Sequence, residues 1–311
     1  MKRFIIILSF LLPLSLFLAG CTNGDKQPAK NANKLTIYTT VFPLQYFTEQ
    51  IGGKYVDVKT IYPPGADEHT FEPSQKDMMN LADSDLFIYI GLGLEGFVEK
   101  AKQTLKNENV KLIPVANNLK LPKETNSVEE DDDGHHHDIN PHVWLDPIYS
   151  KEMAAMIKNE LVKKMPKNKA VFNQNYTKLA KELDGLNQEY QKTIDDAKTK
   201  KIIVTHAAFG YWETRYGLKQ ISLSGLSTTN EPSQKQLEKI VSIAEQEGIH
   251  YILFEQNFNS KLGKIVQEEI GATALSIHNL AVLTPDDIKK KETYFTLMNK
   301  NLDSLKTALN Q

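Results

Sequence analysis

Four of the chain's eight histidines fall between positions 135 and 142, in the stretch DDDGHHHDINPHVWLDP. Imidazole is a common ligand for zinc, copper, nickel and iron, so this stretch invites a metal. His135, His136 and His137 form a bare run beside the acidic residues Glu129 to Asp133, whereas His142 sits in the apolar setting Pro-His-Val-Trp. Neighbouring imidazoles on one loop chelate loosely, and a selective site needs donors that converge from rigid, distant elements. His142 is therefore the stronger ligand candidate. His135, His136 and His137 are at most an auxiliary chelator, with a solvated loop of no thermodynamic importance as the alternative.

In parallel α/β sheets, ligands bind beyond the carboxyl ends of the strands. Three more residues share that placement. His69 follows VDVKTIYP through PPGADE, His206 ends KIIVTH, and Glu255 ends IHYILFE. From His69 through His142 and His206 to Glu255 the separations are 73, 64 and 49 residues, far too wide for a local finger or an HExxH helix. Three imidazoles and a carboxylate suit tetrahedral zinc, although imidazole also serves copper, nickel and iron, so donor type alone leaves the ion open. Calcium or magnesium would want more carboxylates, and zinc is favoured over manganese. Taken alone, His206 would be read as a hydrogen-bonded structural residue and Glu255 as an ordinary exposed carboxylate. His250 and His278 lie within strand patterns and are expected to be structural. Trp144, Phe209, Tyr211 and Trp212 are expected to wall the site off from water.

The elements that must position these residues alternate short β-rich runs with helical ones, the pattern of an α/β fold with mostly parallel sheets. LTIYTT, VDVKTIYP, DLFIYIG and KLIPV are the strands of a first half; KIIVTH, LKQISLSG, IHYILFE and ATALSIH are those of a second. Ser74 with Asp77 forms a weak capping box. Residues 120–140 lose periodicity and become acidic, the mark of a surface loop. The longest helical pattern runs from about Asn168 to Ala197, with Val171, Tyr176, Leu179, Leu183, Leu186, Tyr190 and Ile194 as its apolar stripe. The expected architecture is two α/β lobes, 34–165 and 200–311, joined by a rigid helix within 166–199, with the metal site at the lobe interface. One C-terminal helix of about twenty residues is expected to close the fold.

Residues 1–20 carry Lys2 and Arg3 followed by an apolar run, which reads as a secretory signal. Cys21 is the single cysteine, so no intrachain disulfide is available. Residues 21–33 read as a polar tether. Formal net charge is −2, and more negative once Lys2 and Arg3 are removed, which gives no electrostatic case for nucleic acid.

Leu18-Ala19-Gly20-Cys21 resembles a bacterial lipobox. PPGADEHTFEPSQKD, INPHVWLDP, VTHAAFGYW and GLSTTNEPS followed by YILFEQ resemble segments of the zinc-type solute-binding lipoproteins of bacterial ABC importers. That resemblance covers nearly all of the mature chain. Together with the joint pattern of the four residues it favours a metal over the structural readings, most firmly for the three histidines. It implies Zn2+ as cargo held by His69, His142, His206 and Glu255, a lipidated Cys21 in the bilayer at the extracytoplasmic face, an ABC permease as partner, and a monomer without enzymatic activity. Manganese-type relatives usually carry an acid where this chain has His206, and many relatives have Pro where it has Glu68. Because imidazole must shed its proton to bind, affinity is expected to fall below about pH 6.5. The rival readings are a secreted zinc hydrolase, which three protein ligands plus a water would suit, and a surface adhesin on the same scaffold.

Overall fold

A computed structural model of the 311-residue chain describes residues 33–122, 139–227, 232–256 and 260–310. The signal segment, Cys21, most of the tether and His135, His136 and His137 lie outside the described residues. Leu35–Gln311 is one compact unit built on two four-stranded, all-parallel sheets.

The first sheet has the order β2-β1-β3-β4, from β1 (Leu35–Thr39), β2 (Val56–Thr60), β3 (Leu86–Tyr89) and β4 (Lys111–Pro114). The second repeats it as β6-β5-β7-β8, from β5 (Lys201–Val204), β6 (Lys219–Ser222), β7 (Tyr251–Glu255) and β8 (Thr273–Ile277). Central strands such as β3 are buried along their whole length, which is why they read as continuous apolar runs. Helices α1 (Phe42–Gly52), α2 (Gln75–Ala82) and α3 (Val98–Thr104) serve the first sheet. The Ser74–Asp77 capping box forms at the start of α2.

Helix α4 (Pro147–Lys164) leads through a 3-10 turn into α5 (Lys169–Asp195), whose 27 residues span about 40 Å. The stripe on α5 differs at its start from the sequence expectation. Phe172 is fully buried, with Leu179, Leu183, Leu186, Tyr190 and Ile194, while Val171 is 38% exposed. Seven residues separate Phe172 from Leu179, two helical turns on one face, and Val171 falls about 100° off that line.

The second half adds α6 (Gly210–Tyr216), α7 (Gln234–Glu247) and α8 (Lys261–Glu269). The single C-terminal helix is in fact two, α9 (Pro285–Lys290) and α10 (Tyr294–Leu309). Lys291 takes a left-handed φ of 56° and stops the first, and Thr293 caps the second. One core runs through residues of both halves, from Ile37 and Phe87 to Leu253 and Leu305, and a smaller one lies around Ile203, Ile240, Ile252 and Val266. No helix among the described residues is long and apolar enough to cross a membrane.

Candidate metal centre

His69 arrives on the loop after β2. The chain turns at Gly65, whose φ of +75° favours glycine and whose amide donates to the Leu283 carbonyl at 3.0 Å. Asp67 Oδ1 then accepts from the amides of His69 (2.9 Å) and Thr70 (3.1 Å), a local turn typical of Asp. Glu68 is pinned on both sides. Its carbonyl accepts from the Tyr62 hydroxyl at 3.2 Å, and its Oε1 accepts from Asn279 Nδ2 at 2.8 Å.

His142 precedes a 3-10 turn, Val143–Leu145, that runs into Asp146, the N-cap of α4. Helix α6 clamps this segment. The Tyr211 hydroxyl donates to the Asn140 carbonyl (2.6 Å), Trp212 Nε1 to the Leu145 carbonyl (2.8 Å), and Arg215 Nε to Asp146 Oδ2 (2.7 Å). Trp144 Nε1 donates to the Asn279 carbonyl at 2.6 Å, and its ring lies 5.3 Å from that of His142. The aromatic wall is thus buried as expected, with polar edges that also hold the loop in place.

His206 and Glu255 meet through strand register. β5 pairs β7 as Ile203↔Ile252 and Val204↔Leu253, so continuing the ladder brings position 206 beside 255. Nδ1 of His206 lies 3.0 Å from Glu255 Oε1, and Nε2 lies 3.0 Å from the Leu226 carbonyl.

The candidate nitrogens of His69, His142 and His206 all lie within 4.8 Å of one another. Ring centroids are 5.2 Å apart for His69 and His142, 5.5 Å for His69 and His206, and 4.8 Å for His142 and His206. Two nitrogens on one tetrahedral zinc, at about 2.0–2.1 Å each, sit about 3.3 Å apart, so the rings need only close slightly around an ion. Nε2 of His69 and Nε2 of His142 are buried with no hydrogen-bond partner. Leaving a buried nitrogen unpaired is unfavourable, and a cation in the middle would satisfy both at once.

Electrostatics divide the three rings. Burial lowers His69 to about 4, with the charge of His206 adding to the effect. Burial also holds His142 well below its ordinary value, helped by His206 and His69. For His206 burial acts downward too, but the charge and hydrogen bond of Glu255, the Leu226 carbonyl and Glu68 outweigh it and raise the ring to about 9. Burial pushes Glu68 up to about 7. Two neutral donors and one charged ring therefore share a water-poor centre.

Other sequence expectations fall outside this cluster. His278 is buried and bonds Asp287 Oδ2 at 3.3 Å and the Leu280 amide at 2.8 Å, a structural role, and His250 is exposed just ahead of β7. Asn140, Asn279 and the Leu226 carbonyl were not anticipated. Asn140 carried a faint signal, since Asn-Pro directly precedes His142.

Three known proteins resemble this one throughout. The zinc-binding lipoprotein AdcA of Streptococcus pneumoniae is 33% identical over the whole chain, which spans 62% of that relative's length. The Zn(II)-bound ZnuA-like domain of AdcA superposes with a TM-score of 0.75 at 32% identity, covering 89% of this chain and 100% of that domain. The high-affinity zinc uptake system protein ZnuA of Bacillus subtilis is 32% identical over 98% of this chain and 96% of its own length. The laminin-binding protein Lmb of Streptococcus agalactiae, described as bifunctional with adhesin and metal transporting activity, has a TM-score of 0.78 at 27% identity, covering 89% and 100%. The family model for ZnuA, the periplasmic component A of the zinc-uptake complex, matches residues 37–308, and the chain belongs to this family.

Proposed function

We propose that this protein captures Zn2+ outside the cytoplasmic membrane and delivers it to an ABC-type permease. The observation that carries the reading is the pair of buried, unpartnered nitrogens on His69 and His142, in rings that cluster with His206. Three imidazoles supply the borderline-soft donors that zinc accepts readily, which favours Zn2+ over Mn2+ as cargo. Glu255 lies on Nδ1 of His206 and outside the three-histidine cluster, and it serves as the fourth donor in this reading only by leaving that ring nitrogen when zinc enters. Zinc entry displaces the proton from His206 Nε2 and frees the Leu226 carbonyl. Supporting the location are the signal-like residues 1–20 with Cys21 as lipid anchor, and the lipoprotein and uptake-system names of the relatives.

The reading is one of binding and transfer. Elemental analysis and competitive titration of the soluble domain test it. One tightly held zinc per chain is expected, with loss of tight binding in His69→Ala, His142→Ala and His206→Ala and a smaller loss in Glu255→Ala. Unchanged affinity in the three histidine variants would overturn the site. Turnover of peptide, ester or lactam substrates by the zinc form would overturn the reading as a receptor.

A further inference from the structure

The side-chain oxygen of Asn140 accepts two hydrogen bonds, both from His142. The backbone amide of His142 lies at 3.0 Å and its Nδ1 at 2.8 Å. The first contact settles what the second must be. A backbone N–H can only donate, so the Asn140 atom that meets it is the carbonyl oxygen; that oxygen can only accept, so Nδ1 of His142 carries the proton. In a neutral imidazole the lone pair is then on Nε2, the buried and unpartnered nitrogen of a ring that clusters with His69 and His206.

We propose that Asn140 is a positioning residue for the metal centre, fixing the tautomer and ring orientation of His142 so that Nε2 is the bare donor. This rests on the zinc-binding reading above.

Two further observations support it. Asn140 is 1% exposed, and its amide nitrogen has no hydrogen-bond partner. A buried unpartnered NH2 is costly, and a turn to the His142 backbone alone needs no such group. The chemical difference from Glu255 is also informative. A carboxylate beside an imidazole favours the charged ring, as at His206, whereas an amide oxygen accepts the Nδ1 proton without adding charge. Asn140 thus orients the His142 ring while burial keeps it neutral, the state a metal requires. Its carbonyl is held by Tyr211 on the helix that follows His206, so the same residue ties the two histidine segments together.

The test reads the metal-free protein first. In a two-bond 1H–15N spectrum of histidine-labelled protein at pH 8, with the His142 signals assigned by their loss in His142→Gln, wild type should show a protonated Nδ1 and a bare Nε2. A protonated Nε2 in wild type overturns the proposal without any variant at position 140. Asn140→Ala should populate both tautomers and weaken zinc binding by about 10- to 100-fold. Asn140→Asp, which keeps the acceptor but adds a charge, should restore the protonated Nδ1 and recover part of the affinity lost in the alanine form, more at pH 8 than at pH 7, and it carries the variant arm if the alanine form does not fold. An Ala variant that loses affinity with the tautomer unchanged, or that changes tautomer with affinity intact, also overturns it. Failure of wild type to bind zinc at all would instead sink the receptor reading, and the tautomer result stands apart from it.

Discussion

Nδ1 of His206 donates to Oε1 of Glu255 across 3.0 Å, where neither side chain is more than 3% exposed. With Nε2 facing the Leu226 carbonyl, both ring nitrogens meet acceptors, which is the pattern of an imidazolium. The consequence for zinc is a proton to be displaced. A ring raised to about 9 stays charged throughout the neutral range, so binding releases a proton and affinity increases with pH until about 9. An unperturbed imidazole would show this only below about 6.5. For one proton the expected rise is about tenfold per pH unit. Competitive titrations at pH 7.5 and 8.5 measure it, and Glu255→Gln should flatten the slope. Equal wild-type affinities at the two pH values would refute the charged-ring account.

The start of the long helix separates two adjacent residues energetically. Phe172 is fully buried and meets Tyr55 edge to face at 5.9 Å, whereas Val171 is partly in solvent. Phe172→Ala should cost about 3–5 kcal/mol of stability. Val171→Ala should stay within about 0.5 kcal/mol. Denaturant titration of both variants decides it, and comparable losses would contradict the stripe.

Asp146 does two jobs at the first turn of α4. Oδ1 accepts from the amides of Ile148 (2.7 Å) and Tyr149 (3.3 Å), and Oδ2 pairs with Arg215. Asp146→Ala removes the cap and leaves the partly buried guanidinium without its carboxylate, with an expected loss of about 2–4 kcal/mol. Asp146→Asn keeps an acceptor for the cap and should lose less. Thermal and chemical unfolding of the metal-free proteins compare them; an alanine form as stable as wild type would show that the clamp contributes little.

The tight site should not depend on the histidine run. Removing Val128 to Asp138 deletes His135, His136 and His137 but none of the three clustered histidines. Zinc titration should lose only weak extra equivalents, with the tight equivalent intact. Disappearance of the tight equivalent would assign that run to the main site.

Much of the fold was legible along the chain because its signals are local. Apolar runs bounded by turn residues marked the eight strands, and the capping pair Ser74 and Asp77 marked the start of α2. The errors were local as well. Val171 stood in for Phe172 because both are apolar and adjacent, and only packing against Tyr55 distinguishes them. The break at Lys291 was missed because a left-handed lysine has no strong sequence mark.

By itself the sequence determined the donor types, their placement at strand ends and the α/β alternation, since these follow from side-chain chemistry and hydrophobic period. Tertiary structure alone decided that the rings of His69, His142 and His206 meet, that β5–β7 register brings Glu255 against His206, and that Asn140 leaves Nε2 of His142 bare. Those outcomes depend on contacts between residues tens of positions apart, on shared burial and on hydrogen-bond direction. Each is a property of the packed molecule, and no window of the chain contains it.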